Sequence, residues 1–288
     1  MLWGNAVRSV CLVIERHDVD ISRILHFLSI HVFDETYPKP HTLRLNPLLK
    51  PEALRRLAWA TLYLDTMADA GRHGVHAVSI SGYHVQLPCD ENAFVRGLDV
   101  LTGPLEPPKS PAVSPAMSFG EGSAHQEGPS HFGISAHLIR TALMRRRVLH
   151  FNSRIKYSSD TPQKMLDDLT QYEAEIKACV ADLPSELAYS EENLFFHMGR
   201  RTAFILLHTL RHNCFLMLAM ARLNVIARDN RLAELSKTVL KDRIRHAIPV
   251  SRIIADALRL GINCDPFVGV QAYTCLESTF GPEEFRSL

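Results

Sequence analysis

Fifteen histidines make metal binding and acid–base catalysis the first chemistry to consider. His208 and His212 stand four residues apart in an apolar stretch, so a helix would place both imidazoles on one face. A zinc site needs a third ligand, and zinc proteases also carry a Glu between the two histidines. The intervening residues, Thr209, Leu210 and Arg211, supply neither. We therefore predict a pair of partly buried structural histidines and no metal site here.

His73 and His76 could do acid–base chemistry beside a distant acid, but the sequence identifies no such partner. The chain has no Gly-x-Ser-x-Gly nucleophile elbow and no glycine-rich loop of the kind that cradles phosphates. We therefore predict no catalytic residue and expect a protein that is not an enzyme. A stand-alone helical enzyme using His73 or His208, or a metabolite-binding protein, remains the alternative.

The six cysteines match in number those of a binuclear zinc cluster but not in spacing. Such clusters need close pairs, because a short spacing lets one turn present two thiolates. Here no two cysteines lie within ten residues of each other. We expect reduced, mostly buried cysteines and neither metal nor cofactor in this chain. The residues are Cys11, Cys89, Cys179, Cys214, Cys264 and Cys275.

The charge pattern predicts a helix pair rather than a general affinity for nucleic acid. The net charge is +1, which gives no overall attraction to DNA or RNA. The stretch from Phe132 to Tyr157 has six basic residues and no acidic one, whereas Asp160 to Glu192 has nine acidic residues and two lysines. We expect these two segments to pack antiparallel with complementary flanks. A nucleic-acid patch at Arg145–Arg147 is the alternative, although no groove-reading motif accompanies it.

Helical periodicity dominates, and it predicts an all-α, irregular domain of about seven to nine helices. Pro51 suits a first helical position, and the helix that follows should run to about Ala70 and stop at Gly71. Other helices are expected from 2 to 16, 20 to 32, 132 to 157, 161 to 183, 191 to 223, 231 to 260 and 266 to 280, and Val75–Leu87 as an extended loop.

The most apolar stretch, Ala203–Met220, predicts a core helix rather than a membrane span. Polar residues between 208 and 213 interrupt it, whereas a membrane helix needs roughly 20 consecutive apolar residues. We expect no membrane partner.

Residues 102–130 differ in composition from the rest, with six Pro, four Gly and five Ser. Such a segment cannot bury much apolar surface, so we predict a disordered linker. It separates an amino-terminal helical part, 1–101, from a carboxy-terminal part, 131–288, of the same domain.

The order of several short segments resembles the fungal-specific transcription factor domain, the middle homology region of fungal binuclear zinc-cluster regulators. In that family a helix with paired arginines and an aromatic residue ends in Leu-Asp and a Gly-Arg-Pro turn, and a loop then closes on Leu-Pro. An acidic helix ending in Leu-Pro, a long apolar helix and an Asp-Pro-Phe segment complete the likeness. The matching residues include Arg55, Arg56, Trp59, Asp65, Gly71, Arg72, Leu87, Pro88, Asp90, Glu91, Leu183, Pro184, His208 and Asp265–Phe267.

This resemblance implies a regulatory, non-catalytic role in RNA polymerase II transcription, in the nucleus. It covers roughly residues 1–280, departing at Ala58, Thr66 and His73, and lacks the family's zinc-cluster module. A fragment, a truncated gene product and a stand-alone regulator all stay open. The implied partner is a small-molecule effector or a coregulator protein, with a homodimer also open. We expect no specific DNA binding by this chain alone.

The matching positions should hold the fold together. Trp59 is expected to anchor the core, because burying an indole removes a large apolar area from water. Arg56 and Asp65 should be buried polar groups that need partners. Gly71 would supply a left-handed turn before Arg72. The closing pair of the loop is Leu87–Pro88.

Overall fold

The computed structural model describes residues 30–32, 34, 51–68, 78–98, 100, 102–105 and 132–285, with side chains up to 276. These residues are about 78% helical and form no β-strand, so the predicted all-α class is confirmed. The eight α-helices are α1 Pro51–Ala68, α2 Glu91–Arg96, α3 Ile134–Arg154, α4 Pro162–Ala181, α5 Glu191–Phe196, α6 Arg201–Ile226, α7 Leu235–Arg259 and α8 Pro266–Phe285. The predicted helices at 2–16 and 20–32 fall mainly outside the described residues, and Ile30–Val32 forms a short 3₁₀ turn.

Helix α6 is the central element, and α3, α4, α7 and α8 all pack against it. By length and composition the segment Met198–Ile226 could cross a membrane, but 72% of its most apolar window is buried inside the fold. That burial is what a core helix of a folded domain shows, in line with the sequence prediction for Ala203–Met220.

Helices α3 and α4 pair as their opposite charges predict. Arg140 of α3 contacts Asp182 just after α4, and Arg147 of α3 contacts Glu175 of α4, so the two helices run antiparallel. Thr161 caps α4 by accepting a hydrogen bond from the Lys164 amide at 3.3 Å. The predicted start of this helix is therefore confirmed.

The single helix predicted from Glu191 to Leu223 is wrong. The chain ends α5 at Phe196, forms a 3₁₀ turn at Met198–Arg200, and only then begins α6. Arg200 has φ −135° and ψ 19°, values outside the α-helical region. Gly199 in the turn has low helix propensity, which favours a break at this point. The break matters because it lines a cleft described below.

Helix α1 packs against α3 and against the segment 78–105. Trp59, Leu62 and Leu87 are fully buried in this cluster together with Ile139 of α3. The segment 78–90 contains a 3₁₀ turn at Ile80–Gly82 and is otherwise extended, consistent with the predicted loop.

Residues 102–105, predicted to open the disordered linker, instead pack onto this loop. Pro104 forms a β-bridge with Gln86, and the Leu87 amide donates to the Gly103 carbonyl at 3.0 Å. Thr102 adds hydrogen bonds to the Gln86 side chain and to the Leu87 carbonyl, and Leu105 is partly buried against the core, so this short stretch is ordered despite its Gly-Pro composition. The remainder of the predicted linker, 106–130, lies outside the described residues.

Candidate functional site

The carboxylate of Glu91, whose side chain is 13% exposed, joins four elements of the fold. Glu91 opens α2, where Asp90 caps the helix by accepting from the Asn92 amide at 2.8 Å. The Glu91 carboxylate accepts hydrogen bonds from the amide and the hydroxyl of Ser135, at 3.1 and 2.6 Å. It thus satisfies a free backbone donor in the first turn of α3, where a negative charge is also favoured.

Two guanidinium groups approach the same carboxylate. Arg200, just before α6, lies 3.3 Å from Glu91 Oε2, and Arg56 of α1 lies 3.9 Å from Oε1. Arg200 also donates to the Asn92 side chain at 2.6 Å. We call Glu91, Arg56, Ser135 and Arg200 the Glu91 junction. Through it α1, α2, α3 and the start of α6 share one ion-pair and hydrogen-bond network.

Gly133 gives the Glu91 carboxylate room to reach α3. A Cβ atom on this glycine would lie 2.2 Å from Glu91 Oε2 and 2.9 Å from the Asp90 Cα. Real Cβ atoms do not approach so closely, and the second neighbour is backbone, which cannot turn away. The residue before α3 therefore has to be glycine for the junction to form.

A cleft of about 650 Å³ opens beside the Glu91 junction. Its walls are the starts of α2 and α3 on one side and the segments 184–187 and 196–200 on the other. The part of its lining at the start of α2 precedes the predicted linker, and the rest follows it. Pockets that hold small molecules in proteins have volumes of roughly 300–1,000 Å³. The cleft has the size of a metabolite site.

The helix break between α5 and α6 builds the far wall of the cleft. His197 is buried there, with Nε2 2.9 Å from the Glu186 carbonyl and its ring stacked on Phe204 at 5.2 Å between centroids. Its neighbour Phe196 is 74% exposed and contacts the His197 ring edge-on. The break thus turns a buried imidazole inward and leaves a phenyl ring at the edge of the cleft.

The cleft combines charged and aromatic groups. Arg200 has five N–H donors, and the two contacts described above use two of them. The other N–H groups can donate hydrogen bonds to a ligand oxygen. Phe132 and Phe196 offer apolar surface in the same cleft. The arrangement can hold a small molecule with one polar end at Arg200 and an apolar body against the rings.

The burial of Trp59 is consistent with its predicted role, whereas Arg56, predicted to be a buried polar group, is half-buried, with 21% of its side chain exposed. Trp59 is 1% exposed, and its indole N–H donates to the Gln86 carbonyl at 2.7 Å. Arg56 donates to Glu52 at 2.9 Å and to the Cys89 carbonyl at 2.7 Å. Both side chains fasten α1 to the extended segment 86–89.

Asp65 is a buried polar group with partners, as its position predicts. Its carboxylate lies 3.2 Å from Arg146 of α3 and accepts from the Val78 amide at 3.3 Å. Leu87 and Pro88 are buried, and the Leu87 carbonyl accepts from the Thr102 hydroxyl. Gly71 and Arg72 lie outside the described residues.

Two of the three arginines in the alternative nucleic-acid patch, Arg145–Arg147, are too deeply buried to bind nucleic acid. Arg145 and Arg146 are only 2% and 8% exposed, and Arg145 donates to Asn213 at 2.7 Å inside the bundle. Arg147 contacts Glu175 of α4. Two of the three guanidinium groups are therefore interior side chains that a phosphate backbone cannot reach.

His208 and His212 occupy one face of α6 but have separate partners. The Nε2 of His208 lies 2.9 Å from the Leu187 carbonyl, and Nδ1 of His212 lies 3.3 Å from Nδ1 of His246. Burial lowers the pKa of His208 to about 3 and that of His212 to about 4, so both are neutral at physiological pH. They match the prediction of structural histidines, although His208 is fully rather than partly buried. His73 and His76 fall outside the described residues.

The six cysteines of the sequence were expected to be reduced and mostly buried. Five of them are described, all free thiols, and three are buried: Cys89, Cys214 and Cys275. Burial raises the pKa of the Cys214 thiol to about 12, which keeps it protonated. Within the described part of the chain, no group of three or more His, Cys, Asp or Glu side chains could hold a metal ion.

In the sequence Asp90 and Glu91 stand out only as acidic residues after Leu87–Pro88, and nothing marks Gly133, His197 and Arg200 as parts of one site. A capping pattern at Asp90 was readable, because Asp before a short polar run favours a helix start. The contact between Glu91 and Arg200, which are 109 residues apart, has no local signal.

No family model matches the chain, and no curated protein and no solved structure is significantly similar to it. The resemblance to the fungal-specific transcription factor domain therefore stays a prediction made from residues.

Proposed function

We propose that this chain is the regulatory region of a fungal-type transcription factor, acting in the nucleus on RNA polymerase II transcription. In this role it responds to a bound effector or coregulator and does no chemistry of its own. The observation that carries the proposal is the cleft beside the Glu91 junction. An effector there would touch α2 and α3 on one side and the start of α6 on the other.

The family-like residues support the same reading, because they form the frame of this region. Arg56 belongs to the Glu91 junction itself, and Trp59 and Asp65 fix α1 to the loop and to α3. Each of these polar side chains is engaged with a partner inside the protein. A ligand that changed the Glu91 junction would therefore act on helices from both parts of the chain.

The proposal is tested by blocking the cleft. Gly199 lines it, and a Cβ at this position meets nothing within 4 Å, so Gly199→Phe places a large side chain at the wall of the cleft without a steric clash. Gly82 also has open space around it but lies outside the cleft, which makes Gly82→Phe the matched control. Both variants are compared with the unaltered chain, first in a thermal-shift screen against a metabolite panel.

A true effector at ~100 times its dissociation constant stabilises the fold by about 2.7 kcal/mol. We expect that shift for the unaltered chain and for Gly82→Phe, and its loss in Gly199→Phe. The same three chains, fused to a foreign DNA-binding module, should differ in effector-dependent reporter transcription in the same way. If no metabolite shifts the melting temperature and no fusion changes transcription, the proposed function is wrong.

A further inference from the structure

One face of α7 presents apolar side chains to solvent. Another face of the helix, with Val250 and Ala257, is buried in the bundle. On the outer face the exposed fractions of four large apolar side chains run from 43% to 71%. We call these four residues, with the exposed Ala255, the α7 stripe: Leu240, Ile244, Ile248, Ala255 and Leu258.

The spacing of the α7 stripe is that of a helix-pairing surface. Ile244, Ile248, Ser251, Ala255 and Leu258 follow one another at intervals of four, three, four and three residues. This alternation keeps side chains in line along a helix and is the pattern by which two helices pack side by side. From Leu240 to Leu258 the stripe is about 27 Å long at about 1.5 Å per residue.

A row of basic side chains borders the stripe on one side. Arg245, Arg252 and Arg259 are seven residues apart and Lys241 lies four before Arg245, so all four share one flank of the helix. The side chains of Arg245 and Arg259 are 77% and 61% exposed and pair with acidic residues only at the surface.

For Arg252 and Lys241, no described carboxylate lies within 4 Å, the distance of an ion pair. Surface pairs such as Arg245–Asp242 are weak and are easily exchanged for another carboxylate. The flank therefore offers positive charge to an incoming partner.

We propose that the α7 stripe is a docking surface for an acidic amphipathic helix of a partner protein. The partner's apolar side chains would lie along the stripe, and its Glu or Asp residues would meet the basic flank. Charge complementarity of this kind fixes the register and speeds the encounter. A partner helix of about 18 residues would match the length of the stripe.

A second copy of this chain fits the stripe less well. A two-fold antiparallel arrangement would bring the basic flank of one copy against the basic flank of the other. Like charges facing each other across a helix pair oppose association. The basic flank thus selects against the homodimer and for an acidic partner.

The test uses the full chain and a pair of fluorescent synthetic peptides. One is a 21-residue designed helix with Leu at the heptad positions and Glu on its flanks; the other has Gln in place of every Glu. Fluorescence anisotropy at low salt should give at least ~10-fold tighter binding of the Glu peptide, and added salt should weaken it. Equal binding of the two peptides, or binding of neither, would overturn the proposal.

Matched variants locate the binding. Ile248→Glu and Arg252→Glu are surface changes that leave the core intact, and each should weaken the Glu peptide at least ~10-fold. Leu57→Glu and Lys156→Glu are the controls, because both residues are exposed on other helical segments. We expect the controls to bind like the unaltered chain. A Lys-flanked peptide should regain affinity for Arg252→Glu.

Two other outcomes would assign the stripe differently. If phosphatidylserine vesicles bind through Ile248 while the Glu peptide does not, the stripe is a membrane-facing surface and the proposal is wrong. If sedimentation shows a dimer that Ile248→Glu dissociates, a second copy occupies the stripe and the proposal is equally wrong.

Discussion

The Arg146 guanidinium lies 3.2 Å from the Asp65 carboxylate, and both residues are buried. The same guanidinium donates to the Val78 carbonyl at 2.7 Å, and the Val78 amide donates back to Asp65 at 3.3 Å. The triangle ties α1, α3 and the start of the extended segment together. Its members come from three separate stretches of sequence, so it forms only when all three have assembled.

Replacing Arg146 by Leu should destabilise the fold by about 3–5 kcal/mol, because a buried carboxylate would lose a charged partner. The double variant Asp65→Leu with Arg146→Leu should recover most of that loss, since the carboxylate is removed together with the guanidinium. Urea unfolding followed by circular dichroism measures both. Arg147→Leu is the control: its pair with Glu175 is partly exposed and should be worth under about 1 kcal/mol. If Arg146→Leu and Arg147→Leu lowered the free energy of unfolding equally, burial would not be what makes the Asp65–Arg146 pair important.

Gly133→Ala should destabilise the protein by about 1–3 kcal/mol, as overpacking does in a tightly packed site. The new Cβ would collide with Glu91 and with the Asp90 backbone, forcing apart α2 and α3. Gly199→Ala is the control, because a Cβ there meets nothing within 4 Å. Thermal melts of the two variants should differ by several degrees; coincident melts would show that the Glu91 junction adapts freely.

The helix starts were readable from sequence because their signals are local. Pro51 opens α1, and Thr161 with Pro162 opens α4, each within one turn of the predicted position. The antiparallel pairing of α3 and α4 was also readable, since opposite charge on neighbouring helices leaves few other arrangements. The break after Phe196 was not readable, because it depends on a single turn and the apolar pattern of α6 follows it directly.

The candidate site was less predictable, because its parts are far apart in sequence. Trp59 and Asp65 were expected to be structural, but nothing in the sequence around Gln86 and Arg146 identifies these two residues as their partners. Gly133 precedes α3 in a position that any N-cap residue could fill, and only the approach of Glu91 requires glycine there. A long-range contact of this kind becomes visible only in three dimensions.

His137→Leu should stabilise the protein by about 1 kcal/mol, although it replaces a buried side chain of the core. His137 is 2% exposed, and neither ring nitrogen has a hydrogen-bond partner among the described residues. Burial lowers its pKa to about 4, so the ring is neutral and its desolvated nitrogens only cost free energy. Urea unfolding at pH 7 tests this; a loss of stability would mean that water or an undescribed residue satisfies the ring.

The free energy of unfolding should rise with pH between about pH 4 and 6.5, in part because of His208 and His212. An unfolded histidine binds a proton below about pH 6.5, whereas burial holds the folded pKa of these two near 3 and 4. In that window the unfolded chain takes up more protons, so acid favours unfolding. Each such histidine contributes a slope of up to about 1.4 kcal/mol per pH unit.

His208→Gln isolates the contribution of one ring, because the Gln amide can still donate to the Leu187 carbonyl. Urea unfolding at pH 4.5, 5.5, 6.5 and 7.5 should give a shallower slope for this variant than for the unaltered chain. His150→Gln, at an exposed position on α3, is the matched substitution outside the core. If His208→Gln kept the full slope, the imidazole would have to be protonated inside the fold. The Leu187 carbonyl, its hydrogen-bond partner there, would then have to compensate for a buried cation next to Arg211.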